Sequence, residues 1–474
     1  MTLSIQTGLS GILAAQTALN LTGQNVANVE TAGFARRTLS LASAYASNSG
    51  GVVVGDVRRV TSDIVQARLY TQTAASSQSE VTGAYLQQIE SLLNEPGDDG
   101  LNALLDEFFQ GFADLGLDPE NAALRAQVTE TASRLADTIS QLRAEIASVL
   151  DSVTSDIQTS ITHINDLLDA IVTANSSITA VGSGDASAYS LMDSRQAALD
   201  ELSKEAGITV MEKGGLVRVY FDQSLAVGET MAMRLATVAG AEDTPVWESS
   251  GFAANLSSGR LAGLVELARN TLPSYLDSLD QLASTLIYEV NKIHAEGVGL
   301  SGSFESVQAL NAVSDPSGVT DGSTLALDSA GLAFTPQSGD LYINITHTAT
   351  KTTSTSTIAL DVTTMSLDDL AQAISALAGV NATISSGRLT VTAETGYVFD
   401  FAASQGTNVL ACLGVNGLFS GSNARDIALS SAVEADPNLV AAARTPYTGD
   451  GANATRLASL QTSKVLASGS ATVQ

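Results

Sequence analysis

The sequence has few of the residues on which disulfide-bonded and aromatic-rich proteins depend. It contains one cysteine, Cys412, so no disulfide can form within the chain. That cysteine lies in an apolar stretch, residues 409–413, which predicts a buried thiol. Aromatic residues make up only 5% of the chain, and the 44% hydrophobic content is mostly Ala, Leu, Val and Ile. This composition suits the seams between packed helices and predicts long helices.

Positive charge is also scarce. The chain has 22 Lys and Arg against 50 Asp and Glu, a net charge of −28. Nucleic acid and anionic membranes are therefore not expected as partners, because binding phosphate requires clustered cations. The pairs Arg36-Arg37 and Arg58-Arg59 do not extend into a basic run, and we interpret them as solvated or salt-bridged patches.

The sequence has no apolar run of about 18 residues, so no membrane span is predicted. The N-terminus lacks the basic and apolar regions of a secretory signal, which gives no support for export by the general pathway. Two alternatives follow: the protein stays inside the cell, or another machine exports it.

Motifs for catalysis are missing as well. The three histidines, His163, His294 and His347, are scattered and form no pair with metal-ligand spacing. We predict no catalytic residue, no metal and no cofactor, and expect a protein that is not an enzyme. Residues 297–302 match the dinucleotide fingerprint, but they follow a helix rather than a strand and are interpreted as a glycine-rich helix stop. Asn291 and His294 lie one helical turn apart, and both are expected to have a structural hydrogen-bonding role.

The first 35 residues contain a single charged side chain, Glu30. Their apolar residues recur at helical spacing and form one stripe. Such a helix either is buried within its own domain or packs against neighbouring subunits. Because no charge occurs in its first 29 residues, we favour assembly and predict a polymer interface. The predicted interface residues are Ile5, Leu9, Ile12, Leu13, Leu19 and Val26.

The remaining patterns predict an α+β multidomain fold, in which a long helical-bundle rod carries a small β-hairpin region and an inserted Ser/Thr-rich α+β outer domain. Apolar residues step by three or four from Leu124 to Ile178, which predicts a helix of roughly 55 residues. Alternating residues predict a hairpin that turns at Gly214-Gly215. A capping box, Ser366 with Asp369, predicts a helix that ends at Gly379.

These patterns divide the chain into four predicted domains. The terminal polymerisation helix takes residues 1–40, and the helical rod takes residues 41–301 with its small β region near 207–240. The outer domain takes residues 302–423 and has ten acids and two bases, a net charge of 2 − 10 = −8. Residues 424–474 return to the helical domain.

Residues 18–38 resemble the N-terminal signature of the flagellar rod, hook and hook-associated axial proteins. In that family a helix ends at an Asn-x-x-Asn-x-x-Thr segment followed by Pro-Gly-Tyr. Here the motif residues at the helix end are Asn25, Asn28, Thr31, Gly33 and Phe34. Asparagine side chains satisfy backbone groups where a helix ends, and glycine permits a turn with positive φ.

Further elements resemble the hook-associated branch of this family in particular. They are Val290-Asn291-x-x-His294, residues 413–416 and 419–421, Asp436-Pro437 and residues 449–453. The resemblance covers nearly the full length. One departure is that the family normally ends in a further helical region that returns beside the first helix, and this C-terminal helix is expected to be missing after Leu466.

The resemblance implies a structural subunit that forms the junction between hook and filament by axial self-assembly into a ring. It implies the hook protein below, a second junction protein or flagellin above, and a dedicated export chaperone. It further implies an extracellular location in the flagellum, reached through the flagellar type III apparatus without a cleaved signal. The alternative function is a secreted surface adhesin or binding module acting through residues 302–423.

Overall fold

The computed structural model describes residues 2–44, 50–93, 100–182, 187–447, 449–466 and 471–472. The chain divides into two compact units. Unit 1 comprises residues 1–88 and 148–273, and unit 2 comprises residues 89–147 and 274–474. Residues 95–100 contain proline, glycine and aspartate and predict a break between two helices. Except for Gly100, they lie outside the described residues.

Helices dominate the first 300 residues. In chain order, the α-helices are α1 Thr2–Ala27, α2 Asp63–Leu93, α3 Leu101–Leu117, α4 Ala122–Val181, α5 Ala188–Glu205, α6 Arg260–Glu266, α7 Leu272–His294, α8 Leu367–Ser375, α9 Val409–Leu413, α10 Ser431–Ala435 and α11 Ala452–Ala458. A π-helical turn, Leu267–Thr271, links α6 to α7.

All the strands pair antiparallel. They are β1 Arg37–Ser43, β2 Val52–Arg59, β3 Ile208–Lys213, β4 Leu216–Phe221, β5 Ser224–Val227, β6 Leu235–Val238, β7 Ala241–Trp247, β8 Ser306–Gln308, β9 Gly339–His347, β10 Thr352–Leu360, β11 Val380–Ser385, β12 Arg388–Ala393, β13 Tyr397–Phe401, β14 Phe419–Ser420, β15 Ala428–Leu429, β16 Lys464–Leu466 and β17 Ala471–Thr472.

Unit 1 packs helices around the second part of α4, whose inward positions follow the predicted three-or-four spacing. These buried residues are Val149, Val153, Ile157, Ile161, Ile164, Leu168, Ile171 and Ile178. The β3-β4-β5 sheet turns at Gly214-Gly215 as predicted. Buried Arg195 of α5 donates hydrogen bonds to the side-chain oxygen of Asn175 at 2.9 Å and to the carbonyl of Gly215 at 2.7 Å. Arg195 therefore holds the hairpin turn against α4.

Unit 2 combines α3, the first part of α4 and α7 with two three-stranded sheets, ordered β10-β9-β13 and β11-β12-β8. Helix α8 begins at the predicted capping box: the Ser366 hydroxyl accepts from the Asp369 N–H at 3.1 Å, and the Asp369 carboxylate accepts from the Ser366 N–H at 3.0 Å. A continuous apolar core built from these strands and α8 spans residues 295–415.

The mixed helix and strand content agrees with the predicted α+β class, and α4, with 60 residues, confirms the predicted long helix. Two features differ from the sequence analysis. The sequence predicts two shorter helices between Glu80 and Leu115, but the first of them, α2, already begins at Asp63. The β1-β2 hairpin falls in a stretch where no strand was predicted, although Thr38-Leu39-Ser40-Leu41 alternates polar and apolar residues. Eight residues separate β1 from β2, so no short turn motif marks the hairpin in the sequence.

Candidate functional site

Helix α1 contacts its own unit through small and polar side chains. Along one face, Ser10 accepts a hydrogen bond from the Val52 N–H at 3.2 Å, and Ala14 is buried. Near the end of the same face, the Asn25 amide pairs with both backbone groups of Arg37, at 2.9 Å each. This face therefore lies along the β1-β2 hairpin.

The predicted apolar stripe lies on the opposite face of α1 and is exposed. Its six side chains have fractional exposures between 54% and 73%: Ile5, Leu9, Ile12, Leu13, Leu19 and Val26. A row of exposed large apolar side chains on one helix is unusual for a surface that water alone covers. Their role as a polymer interface stays a prediction.

The motif at the end of α1 forms a compact turn that points towards α5. The Asn28 side chain donates to the Gln24 carbonyl at 2.9 Å and accepts from the Thr31 hydroxyl at 3.3 Å, which covers the helix end. Gly33 follows with a φ of +74°. A Cβ atom at this position would lie 2.3 Å from the Asp193 carbonyl oxygen, so both the conformation and the close approach require glycine.

Beyond the turn, two arginines from the hairpin converge on one carboxylate of α5. Arg37 donates to Asp193 Oδ2 at 2.6 Å, and Arg59 donates to Asp193 Oδ1 at 2.7 Å and, through Nε, at 3.0 Å. All three side chains are only 12–13% exposed. The Arg37 guanidinium also lies 5.2 Å from the Phe34 ring and 5.4 Å from the Tyr189 ring. We call Asp193, Arg37 and Arg59 the arginine clamp.

The structure thus brings Asn25, Gly33 and Phe34 together around the arginine clamp, while Asn28 and Thr31 stay within the turn. The sequence analysis allowed for salt-bridged arginines but did not identify Asp193 or Tyr189. These partners lie more than 130 positions away along the chain. No local signal in the sequence marks either residue as a partner of these arginines.

The other family-like motifs converge in unit 2, at the C-terminal end of α7. His294 is fully buried; its Nδ1 donates to the Asn416 carbonyl at 2.7 Å and its Nε2 accepts from the Ala441 N–H at 2.9 Å. Burial lowers the pKa of His294 to about 4, so the ring is neutral at pH 7. Asn291 accepts from the N–H groups of Leu418 and Phe419 and donates to the Phe419 carbonyl. The predicted hydrogen-bonding roles of both residues are confirmed.

Two further amides complete this network. Asn416 donates to the carbonyls of His294 and Gly297, at 3.1 and 3.0 Å, and Asn453 donates to those of Ile293 and Ala441, at 3.1 and 2.8 Å. A Cβ atom on Gly297 would lie 2.3 Å from the Asn453 side-chain nitrogen. The glycine of the apparent dinucleotide fingerprint therefore serves close packing at the end of a helix.

The structure gives no support for a reactive cysteine or a metal site among the described residues. Cys412 is buried in α9, and burial raises the pKa of its thiol to about 12, which keeps it protonated and unreactive. Within the described ranges, His, Cys, Asp and Glu side chains nowhere form a group of three that could hold a metal ion. Over the same ranges, the helices are too short or too polar to cross a bilayer.

Comparison with known proteins identifies the relatives of this chain. The profile of a family described as "Flagellar hook-associated protein FlgK helical domain" matches residues 86–307. Flagellar hook-associated protein 1 of Bacillus subtilis is 24% identical over 346 residues, covering 63% of this chain and 68% of that protein. Its Escherichia coli counterpart is 27% identical over 322 residues, covering 63% and 58%. The chain is similar in sequence to flagellar hook-associated protein 1.

This relationship to hook-associated protein 1 supports a structural flagellar protein. The chain spans 58% of the length of the Escherichia coli relative. The flagellar hook junction protein FlgK from Burkholderia pseudomallei has a TM-score of 0.48 and 18% identity, over 81% of this chain and 66% of that chain.

Proposed function

We propose that this chain is a structural subunit of the junction between hook and filament, and that it joins neighbouring subunits through the apolar stripe of α1. The observation that carries the proposal is the exposure of all six stripe residues on a helix with no charged side chain. Burying such a stripe against other helices removes apolar surface from water at about 25 cal/mol per Å². Association therefore gives this helix the burial that its own unit does not provide.

The arginine clamp supports the same proposal from the other end of the helix. It fixes the turn after α1 to α5 through two charge-assisted contacts, 2.6 and 2.7 Å long. A stripe that served assembly would need such an anchor, because a subunit transmits no force through a loosely attached helix. The similarity to hook-associated protein 1 adds an independent argument.

Several finer points of the proposal follow from the family resemblance. The subunits would form a ring, with the hook protein below and a second junction protein or flagellin above. A dedicated chaperone would keep the apolar stripe from associating before export through the flagellar type III apparatus. The location would then be extracellular, in the flagellum at the hook–filament junction.

The test is complementation of a strain that lacks its hook-associated protein 1. Ile12→Asp and Leu19→Asp place a charge on the stripe without touching any buried contact, because both side chains are exposed. We expect the variants to fold and be exported like the wild type, yet to abolish filament attachment. Deleting residues 1–35 should have the same effect.

Gln24→Glu is the control, because Gln24 is exposed and lies about 140° around the helix from Leu19 and about 160° from Val26, the nearest stripe residues. It should support filaments at the wild-type level. Normal filaments with both stripe variants would overturn the proposal. An adhesin acting through residues 302–423 would tolerate every one of these changes and lose binding only on changes in that region.

A further inference from the structure

Helix α2 presents an outward face that its own unit leaves exposed. Three large apolar side chains at its start, Ile64, Val65 and Leu69, are between 51% and 72% exposed. The residues that continue this face are small or polar, and all are exposed: Gln72, Ala75, Ser76, Ser79 and Gly83. Residues three and four positions apart lie on one side of a helix, so the face is continuous. We call this face, from Ile64 to Gly83, the α2 strip.

The α2 strip has almost no charge. Between residues 63 and 79 the only charged residues are Asp63 and Arg68, in a chain that has 50 acids and 22 bases. The opposite face of α2 packs into unit 1, where Tyr70 and Ala74 are buried. An exposed helix face that has large apolar side chains and so little charge is typical of a surface that binds another protein.

The stripe of α1 and the α2 strip have complementary charges. Arg68 lies among the apolar residues of the strip, and Glu30 follows α1 beside Val26 and Val29, which are 69% and 73% exposed. Both charged residues are exposed. Within the described ranges, neither side chain forms a hydrogen bond or an ion pair. Each apolar surface therefore ends in one unpaired charge, of opposite sign to the other.

We propose that the α2 strip of one copy of this chain binds the apolar stripe of α1 from a neighbouring copy. This inference rests on the proposed function and names the surface that the stripe covers. Because stripe and strip lie on different helices, each copy binds one neighbour through α1 and another through α2. A contact between two different surfaces is heterologous, and it closes into a ring when the rotation from copy to copy allows closure.

The charge pair determines the direction of the two helices. Glu30 follows the C-terminal end of α1, whereas Arg68 lies in the second turn of α2. With Glu30 against Arg68, the two helices overlap along their length only when they run antiparallel. From Ile64 to Gly83 the strip is about 29 Å long, at 1.5 Å for each residue, so it covers most of α1, which is about 39 Å long.

This alignment places small residues of the strip opposite the stripe. Gly23 of one copy lies opposite Ala75 of its neighbour, and Leu19 lies opposite Ser79. Small side chains at a helix contact allow the two axes to approach closely. The large side chains of the stripe can therefore pack between the small residues of α2.

Disulfide trapping in intact flagella tests the contact. The full-length chain with Gly23→Cys and Ala75→Cys replaces hook-associated protein 1 in the strain that lacks it. Both positions are exposed, a Cβ atom on Gly23 meets no atom within 4 Å, and the native Cys412 is buried. After oxidation, non-reducing electrophoresis should show a ladder of dimers, trimers and larger oligomers, because only a heterologous contact links each chain to two others.

Each single-cysteine variant is a control and should stay monomeric. The inference is overturned if the double variant also stays monomeric, or closes a disulfide within one chain. It is equally overturned if single variants give dimers, as a two-fold contact would, or if the chain is linked to a different flagellar protein.

Charge exchange in the double-cysteine chain tests the pairing of Glu30 with Arg68. We expect Arg68→Glu and Glu30→Arg each to lower the yield of the ladder about fivefold, because repulsion replaces an ion pair at the interface. The two changes together should restore most of the yield. Lys213→Glu makes the same change of charge at an exposed residue of β3 and should leave the ladder unchanged. Equal yields from all these variants would contradict the inference.

The same experiment separates this inference from the proposed function. Attached filaments without a ladder would mean that the stripe binds a surface other than the α2 strip, and the proposed function would stand. A wild-type chain that fails to restore filaments would instead overturn the proposed function, and the inference with it.

Discussion

At the scale of single residues, unit 2 depends on side chains that bond to the backbone of distant segments. Asn291, Asn416 and Asn453 are amides, which do not titrate, whereas His294 does. His294 donates through Nδ1 and accepts through Nε2, and it is completely buried. A proton on Nε2 would remove the acceptor for the Ala441 N–H and leave a charge in an apolar site. Among these four side chains, only that of His294 therefore responds to pH.

We predict that the free energy of unfolding falls in acid through His294. Burial lowers its folded pKa from 6.5 to about 4. The unfolded state therefore binds the proton first, so stability is complete above pH 6.5 and is lost as the pH falls towards 4. The full loss is about 3 kcal/mol, at 1.36 kcal/mol for each pKa unit. Denaturant unfolding of the wild type and His294→Gln at several pH values measures it.

His294→Gln should be less stable than the wild type at neutral pH. Because it has no histidine at this position, its free energy of unfolding should not fall through this titration. The difference in free energy between the two proteins should therefore narrow in acid. His163→Gln is the control, because His163 is exposed on α4 and its removal should leave the pH profile unchanged. Parallel profiles for the wild type and His294→Gln would show that the buried ring does not control acid sensitivity.

At the scale of elements, the arginine clamp attaches the β1-β2 hairpin and the turn after α1 to α5. We predict that Asp193→Asn destabilises this attachment by about 3 kcal/mol, since it leaves two poorly exposed guanidinium groups without their carboxylate. Amide hydrogen exchange of residues 33–43 and 52–59 should accelerate, while exchange in β9 and β13 stays unchanged.

The matched control is Asp56→Asn. Asp56 pairs with Arg58 at 3.1 Å, but both side chains are more than half exposed, 56% and 75%. An exposed pair contributes only about 0–1 kcal/mol. Equal changes in the hairpin exchange rates for Asp193→Asn and Asp56→Asn would contradict the prediction. The clamp would then stabilise the hairpin no more than an exposed ion pair does.

Elements marked by local periodicity could be predicted from the sequence. The spacing of apolar residues along α4, the glycine pair between β3 and β4, and the capping box of α8 each lie within one short segment. The β1-β2 hairpin and the arginine clamp could not be predicted in the same way. Arg37 and Arg59 are separated from Asp193 by more than 130 positions along the chain, and no local pattern marks that pairing.

At the scale of the whole molecule, the net charge of −28 opposes compactness. We predict that raising the NaCl concentration from about 0.02 M to about 0.5 M raises the thermal midpoint, because it shortens the Debye length from about 20 Å to about 4 Å and screens repulsion among carboxylates. Calorimetry at both concentrations measures the shift. A lower midpoint in high salt would mean that the ion pairs outweigh the repulsion.

The charge is not spread evenly along the chain. Residues 1–88 hold five bases and four acids, a net charge of 5 − 4 = +1, so the remaining residues carry −28 − 1 = −29. The segment that contains the stripe and the two arginines of the clamp is therefore close to neutral. Its association would escape most of the repulsion that acts on the rest of the molecule.

The way α1 meets its hairpin also determines what a neighbour finds when it binds. Ser10, Ala14 and Asn25 lie on the face towards the hairpin, whereas the stripe is exposed on the other face. A second subunit could therefore cover the stripe while α1 keeps every contact with its own chain. Docking on this helix would then require no prior rearrangement of the fold.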